Sequence, residues 1–563
     1  MPDVVPSESP SADVTPTLTD EQIEQLRPYG TEESVSTGDV LIEEGERGAD
    51  FFLLLEGEVE VFRRRAGEKT ESRRGGRGQF GLLDTLDERP AGGTVVVREP
   101  GRVLRLTPDC LRRVVAETAD LGNLILRTFL ARHALSLTEE HAGIQIVGSR
   151  FSEATHRIKG FASRNDIPYT WLDPDRDEGA ERVLSRFDVP PAETPIVIVR
   201  GEEVLRQPSN AELARAVGIA PPSLPGETVD LIVVGGGPAG LAASVYGASE
   251  GLSTICLEAE AVGGRAGTTS KIENYLGFPT GLSGQELARR ARLQARKFGA
   301  RIAVPERADA LHRADGHYVV ELAGDDETAK SGRLRGRSVL LATGAEYRRL
   351  PLDRLEEFEG SGIYYAARGM QAQICEGKNA VVVGGGNSAG QAALFLSDEA
   401  ETVHMLLRGG DLTKSMSRYL VDRVRKAEDV TVHLHTEAVE LHGDDHLTAV
   451  TTENNRDGTR TQIDTPALFS FIGATPCTGW LRDADDSPAP VALDENGFVL
   501  TGTALPTGAG RDDHAPAFLE TNQPGVFAAG DVRSGSVKRV ASAVGEGSMA
   551  VKLVHESLAR IPQ

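Results

Sequence analysis

Two stretches constrain this chain more than any others: "DLIVVGGGPAGLAASVYGASEGLSTICLEAE" and, further on, "NAVVVGGGNSAGQAALFLSDEAETVHMLLRGG". Each sets an apolar β-branched run before a cluster of glycines, then an alanine-rich helical stretch, then a second apolar run. A strand that enters a Gly-x-Gly-x-x-Gly turn and leaves as a helix is built to bind a dinucleotide. The glycines allow a tight turn and close backbone approach, the helix N-terminus receives pyrophosphate, and an acid ending the second strand takes a ribose. In the first copy Gly235, Gly237 and Gly240 make the turn and Glu258 is the acid. In the second copy Gly384, Gly386 and Ala389 hold the same places, Asn387 and Ser388 lie between them, and the strand runs into Arg408. An arginine there pairs with a 2′-phosphate that a carboxylate would repel, so NADPH is expected over NADH. Two such units imply two α/β nucleotide-binding domains.

Near the C-terminus "NQPGVFAAGDV" predicts a short strand ending at Asp531, whose carboxylate can accept from a ribityl hydroxyl. The helical stretch after it turns its positive end toward the same place. "ATGAEY" brings Gly344 to a strand end beside the first glycine turn.

Upstream the pattern differs. Residues 1–17, rich in Pro, Ser and acid, predict a disordered tail. Thr19 with Gln22 reads as a capping box opening a helix through Leu26. Across 18–140, "STGDVLIEEGERGADFFLLLEGEVEVFRR" spaces Gly38, Gly45, Gly48 and Gly57 as turns of a small β-barrel, and a helical stretch follows. Residues 141–220 alternate strand-like and helix-like segments, a small α/β layer, and a Pro-rich linker occupies 221–228.

With 61 basic and 84 acidic residues, the net charge of −23 opposes binding to nucleic acid or anionic membrane. No apolar run approaches the roughly 20 residues of a membrane helix, and the first residues lack the basic and apolar regions of a secretion signal. A cytoplasmic location is expected. The four cysteines, Cys110, Cys256, Cys375 and Cys477, show no CxxC spacing and are expected to be small buried hydrophobes. "VHLH" sets His433 and His435 on one strand face without a third ligand, so no metal is expected. "RRRAGEKTESRRGGR" reads as a solvated hairpin, and "RADGHYVVELAGDDETAKSGRLRGRSVLLATG" as a meander.

The order GGGPAG, "GGRAGTTSKIENYLGFP", ATG, GGGNSAG and "PGVFAAGDV" across residues 228–560 resembles low-molecular-weight thioredoxin reductase, of the pyridine nucleotide-disulfide oxidoreductase fold. The resemblance implies an FAD domain in two segments, 229–345 and 471–563, around an NADPH domain at 346–470, and a homodimer. It assigns FAD to Gly235, Gly237, Gly240, Glu258, Gly264, Asn274, Gly344 and Asp531, and NADPH to Gly384, Gly386, Asn387, Ser388, Ala389 and Arg408. Residues 18–140, through "TGDVLIEEGERGADFFLLLEGEVEVF" and "GQFGLLDTLDERPAGGTVVV", resemble a cyclic nucleotide-binding domain. Leu82 stands where that family has its ribose-binding glutamate and Ala91 where it has its phosphate-binding arginine, with Arg89 displaced. Losing such a charge pair costs about 2–5 kcal/mol, about 30- to several-thousand-fold in affinity. Tight cyclic nucleotide binding is therefore not expected, and the unit reads as a sensor of another ligand or a docking module. Residues 141–220 resemble a thioredoxin or glutaredoxin fold, with Thr194–Pro195 at its cis-proline and Ser149 and Ser152 replacing the cysteines of its CxxC.

Thioredoxin reductases carry a CxxC between the "YY" and the second fingerprint. Here residues 366–370 read Ala, Ala, Arg, Gly, Met, and Cys375 stands alone. A lone thiol cannot close a disulfide, and serine does not exchange as thiolate does. The expectation is an FAD-dependent NADPH oxidoreductase with no catalytic protein side chain, passing electrons from flavin to a small-molecule or protein acceptor. Two other readings stay open: a thioredoxin-disulfide reductase using Cys375 or a partner thiol, and a non-catalytic flavin-based redox sensor.

Overall fold

The computed structural model describes residues 15–65, 68–81, 84–87, 89–136, 143–220, 226, 228–269, 271–324, 330–359, 361–367, 369–444, 446–481, 491–506 and 515–560. Most of the expected tail, most of the linker, and Leu82 lie outside the described residues.

Helix α1 (Asp20–Leu26) opens with the Thr19–Gln22 capping box. Strands β1 (Thr31–Val35), β2 (Val40–Ile42), β3 (Phe51–Arg65), β4 (Glu68–Gly75) and β5 (Thr94–Leu106) pair in the order β1-β5-β3-β4, with β2 also on β5. The basic run expected as a hairpin is β3 and β4, paired antiparallel. Two helices follow, α2 (Pro108–Glu117) and α3 (Ala119–Ser136). Their Leu111, Val114, Leu121 and Ile125 share a core with Leu53, Leu104 and the distant Leu293, so this unit is packed against the first nucleotide unit.

The middle unit runs β6 (Ile144–Val147), α4 (Glu153–Arg164), β7 (Tyr169–Leu172), α5 (Glu178–Arg186), β8 (Ile196–Val199), β9 (Glu203–Arg206) and α6 (Asn210–Ala216). Its sheet order is β7-β6-β8-β9, parallel between β6 and β7 and antiparallel elsewhere, and the Thr194–Pro195 bond is cis.

The first nucleotide unit begins with β10 (Val229–Val234), α7 (Pro238–Ser249), β11 (Thr254–Leu257), α8 (Gly284–Lys297), β12 (Arg301–Ala303) and the antiparallel meander β13 (Ala308–Ala314), β14 (His317–Ala323) and β15 (Lys330–Leu341). β10 is apolar almost throughout because both of its faces are covered. The chain leaves through β16 (Ala345–Tyr347), then α9 (Leu355–Phe358), β17 (Ile363–Tyr364) and α10 (Gly369–Ile374). The second nucleotide unit comprises β18 (Asn379–Val383), α11 (Asn387–Leu396), β19 (Thr402–Leu407), α12 (Arg418–Lys426), β20 (Val430–Leu434), the meander β21 (Thr436–Gly443), β22 (Leu447–Asn454) and β23 (Arg460–Asp464), and β24 (Leu468–Ser470). Its parallel sheet is ordered β17-β24-β18-β19-β20.

The chain returns through β25 (Ala474–Pro476), which pairs with β16. β26 (Val526–Ala528) then adds to the first sheet beside β15, and α13 (Val540–Leu558) packs on α7. The second unit is thus inserted within the first. The two helices meet closely: a Cβ on Gly547 of α13 would stand 2.1 Å from the Ala239 carbonyl oxygen.

Two local expectations are corrected. The strand before Asp531 stops at Ala528, and Asp531 sits in the 3₁₀ turn Gly530–Val532 that reverses the chain toward α13. His435 does not share a strand face with His433: β20 ends at Leu434, and His435 takes a left-handed φ of 57°, held by bonds to Gly409 and Asn455. His433 instead meets the His404 ring at 3.0 Å. Cys256 and Cys375 are buried, whereas Cys110 and Cys477 are only partly so. Among the described residues no helix is long and apolar enough to cross a membrane.

Candidate functional site

A cavity of about 730 Å³ lies over the glycine turn between β10 and α7. The turn exists because glycine alone fits it. Gly235 has φ of 108°, and a Cβ there would stand 2.3 Å from the Ala342 carbonyl oxygen of the chain leaving β15. Gly240 does not line the cavity; its missing Cβ, which would stand 1.9 Å from the Gly235 oxygen, lets α7 lie against the turn. α7 starts at Gly237 and Pro238 without a side-chain cap, so its first amides face the cavity wall with their partial positive charge available to an anion.

Glu258 accepts from the Gly236 amide at 2.7 Å and the Glu260 amide at 3.0 Å. Burial pushes its carboxyl above the usual carboxylate range, against the pull of those amides and of Arg164. Beside the same helix start, where a Cβ on Gly530 would stand 3.1 Å from Ala239 Cβ, Asp531 stands 3.8 Å from Arg265, and Lys538 donates to the Asp531 carbonyl at 3.1 Å. Desolvation pushes the Lys538 ammonium below its ordinary value. Lys538 and Arg539 sit at the start of α13, adding their charge to that helix's positive end. Glu546 of α13 accepts from the Gly530 amide at 2.7 Å and pairs with Arg533, tying the Asp531 turn to the helix.

The structure brings Gly235, Gly237, Glu258, Gly264, Asn274, Gly344 and Asp531 together on this cavity, and adds Asn387 and Ser388 from the second unit. It leaves Gly384, Gly386, Ala389 and Arg408, as well as Gly240, outside it. Gly384 makes the second turn, with φ of 137° and a Cβ position 2.5 Å from the Phe471 carbonyl oxygen. Gly386 caps α11, and the Asn387 side chain accepts from the Ser417 amide at 2.6 Å. Ala389 is buried in the core of that unit. Arg408 is exposed just beyond β19, its carbonyl fixed by Asn455 at 3.0 Å.

A cavity with a helix N-terminus at its wall, a buried carboxylate acceptor and cationic side chains lining it suits an anionic dinucleotide, FAD included. Sequence reasoning missed Arg164, Arg265 and Cys477, which also line it. Lys538 and Arg539 were readable as the basic pair opening a helical stretch. Nothing local marks Arg164, which comes from the middle unit.

Cys375 is far from such exposure. It is fully buried beside Tyr364 and Ala372, and burial pushes its thiol up to about 12. Cys477, half-buried on the cavity wall, is likewise pushed up to about 12. Among residues 366–370, Arg368 lies outside the described residues. The middle unit rests here: Phe151 stacks on His446 at 4.7 Å, and the His156 ring meets Tyr364 edge-on at 6.1 Å.

A family profile described as pyridine nucleotide-disulphide oxidoreductase matches residues 229–547, and a cyclic nucleotide-binding domain profile matches residues 32–118. A thioredoxin reductase of Treponema pallidum is 32% identical over 326 residues, covering 57% of this chain and 94% of the relative. The NADPH-dependent thioredoxin reductase 3 of Arabidopsis thaliana is 30% identical over 375 residues, covering 62% and 64%. The crystal structure of Lactococcus lactis thioredoxin reductase in its FR conformation superposes with a TM-score of 0.52 at 26% identity, over 59% of this chain and all 100% of that one. The thioredoxin reductase of T. acidophilum gives a TM-score of 0.51 at 28% identity, over 59% and 99%.

Proposed function

Because the chain belongs to the pyridine nucleotide-disulphide oxidoreductase family, as an NAD(P)H-dependent flavoprotein oxidoreductase of thioredoxin reductase-like class with FAD and NADPH as cofactors, we propose that it works without a protein dithiol. Electrons pass from flavin directly to an external acceptor, in a homodimer whose N-terminal cyclic nucleotide-binding-like domain is regulatory. Residues 141–220 are a thioredoxin-like domain that has lost its electron-carrying role, since Ser149 and Ser152 cannot form thiolates.

The observation that carries this reading is the state of sulfur. The chain has four cysteines, all free, and Cys375, nearest in sequence to the place of the family's dithiol, is enclosed in the core. When bound, FAD supplies the hydride acceptance and electron release that no side chain here can perform. The chain's own residues bind and orient. Gly235, Gly237 and Gly264 give the backbone its close approach, Glu258 accepts from a ribose, and Asn274, Gly344 and Asp531 hold the remainder. Lys538, Arg539 and the amides of α13 favour negative charge in the cavity beside Asp531. Gly384, Gly386, Asn387, Ser388 and Ala389 form the NADPH turn, and Arg408 pairs with the 2′-phosphate.

The test is an anaerobic NADPH titration of the purified yellow protein, followed by acceptor assays before and after thiol alkylation. The expected result is bleaching of the flavin by NADPH, then reoxidation by quinones at a rate alkylation does not change. Turnover confined to disulfide substrates and abolished by alkylation refutes it.

A further inference from the structure

Arg164 ends helix α4 of the middle unit, yet its guanidinium lines the cavity of the first nucleotide unit. Nη1 lies 2.9 Å from Glu260 Oε2; Nη2 lies 3.1 Å from the Ala261 carbonyl oxygen and 3.5 Å from that of Gly264. Its Nε is buried with no hydrogen-bond partner among the described residues, and the side chain is only 15% exposed. Gly264 in turn abuts the start of α7, since a Cβ on it would stand 3.1 Å from Gly237 Cα. The guanidinium therefore stands between the acid that follows β11 and the helix N-terminus, where a bound dinucleotide carries its ribose and pyrophosphate. A planar, always-charged fork is the side chain best matched to that chemistry.

We propose that Arg164 is an FAD-binding residue contacting the adenosine diphosphate half of the cofactor, so that the middle unit completes the flavin site. The proposal rests on the reading that this cavity holds FAD. The turn after Arg164 is built to hold it there. Asn165 donates to the Glu260 carbonyl at 3.0 Å, and Asp166, with a left-handed φ of 54°, lies 3.2 Å from Arg292 and 3.3 Å from Gln285 of α8. From the N-terminal unit Arg89 donates to the Asn165 and Asp166 carbonyls at 2.7 and 2.9 Å. Arg89 belongs to the loop that resembles a nucleotide-binding cassette. Three folding units thus meet on two residues beside the flavin site, with Arg89 a positioning residue for Arg164.

The experiment uses full-length protein, stripped of flavin and titrated with FAD and, separately, with ADP, comparing the parent with Arg164→Gln and Arg164→Lys. Arg164→Gln is expected to weaken FAD and ADP in parallel, each about tenfold or more, the loss of one charge-assisted contact. Arg164→Lys, which keeps the charge and the aliphatic stem, is expected to fold as the parent and to fall between the two. Parental affinity for both ligands in either variant overturns the proposal, and so does a loss for FAD that ADP does not share. If the parent itself binds no FAD, the reading of the cavity fails instead.

Discussion

Replacing Cys375 by alanine separates electron transfer by flavin alone from transfer through sulfur. The thiol is fully enclosed and pushed up to about 12. At pH 7.5 a thiol of that acidity is about 3 × 10⁻⁵ ionised, against about 0.1 for an ordinary thiol of pKa near 8.5, about 3,000-fold less thiolate. Greater basicity makes each thiolate more nucleophilic, and a Brønsted slope of about 0.4–0.5 over about 3.5 units offsets about 25- to 55-fold of this. The net is about 50- to 120-fold slower attack, before any steric exclusion by the surrounding core. Two measurements follow. Iodoacetamide labelling of Cys375, read by peptide mass spectrometry, is expected to be at least that much slower in the folded protein than in urea. The variant should keep kcat for NADPH oxidation by a quinone within about twofold, with a stability loss of about 1 kcal/mol for the methyl-sized void. A tenfold or larger fall in kcat in a variant that has lost only that stability would refute the reasoning, because the thiol would then be acting in turnover.

Glu258 has its carboxyl raised by burial, so between the ordinary value near 4.5 and the raised native one the folded apoprotein holds the proton that the unfolded chain releases. Apoprotein stability should therefore fall as pH rises through that window, and Glu258→Gln should flatten the slope in a melting series while weakening FAD about tenfold; a parental slope in the variant contradicts it. Arg408→Ala should raise KM for NADPH about tenfold or more and leave NADH almost unchanged, and steady-state kinetics with both nucleotides would expose an equal effect on each. Gly384→Ala forces a Cβ to within 2.5 Å of the Phe471 oxygen at a φ of 137°. It should give a protein that retains FAD absorbance but is not bleached by NADPH, and normal bleaching would show that the second turn does not hold the nucleotide.

Both glycine turns, the acid after β11 and the alternating middle unit were legible because strand period, helix period and glycine's freedom at positive φ are properties of a few consecutive residues. The same reasoning misplaced His435 and overextended the strand toward Asp531, since one bond to a distant loop or one 3₁₀ turn decides where a strand stops. The cavity itself was only half visible. Its glycines and carboxylates belong to local motifs, and Arg265 sits within the quoted GGRAG stretch, but Cys477 carries no pattern.

The order of residues determined that two dinucleotide turns would form and that no pair of thiols stands in a CxxC. Only the packed molecule decided that Cys375 is walled off, that Asn387 and Ser388 face the first unit's cavity, and that Arg164 meets Glu260 across 96 residues of chain. The reason is one of range. Steric limits on φ and ψ act between neighbours, whereas burial and charge pairing between units depend on which surfaces the folded chain presses together.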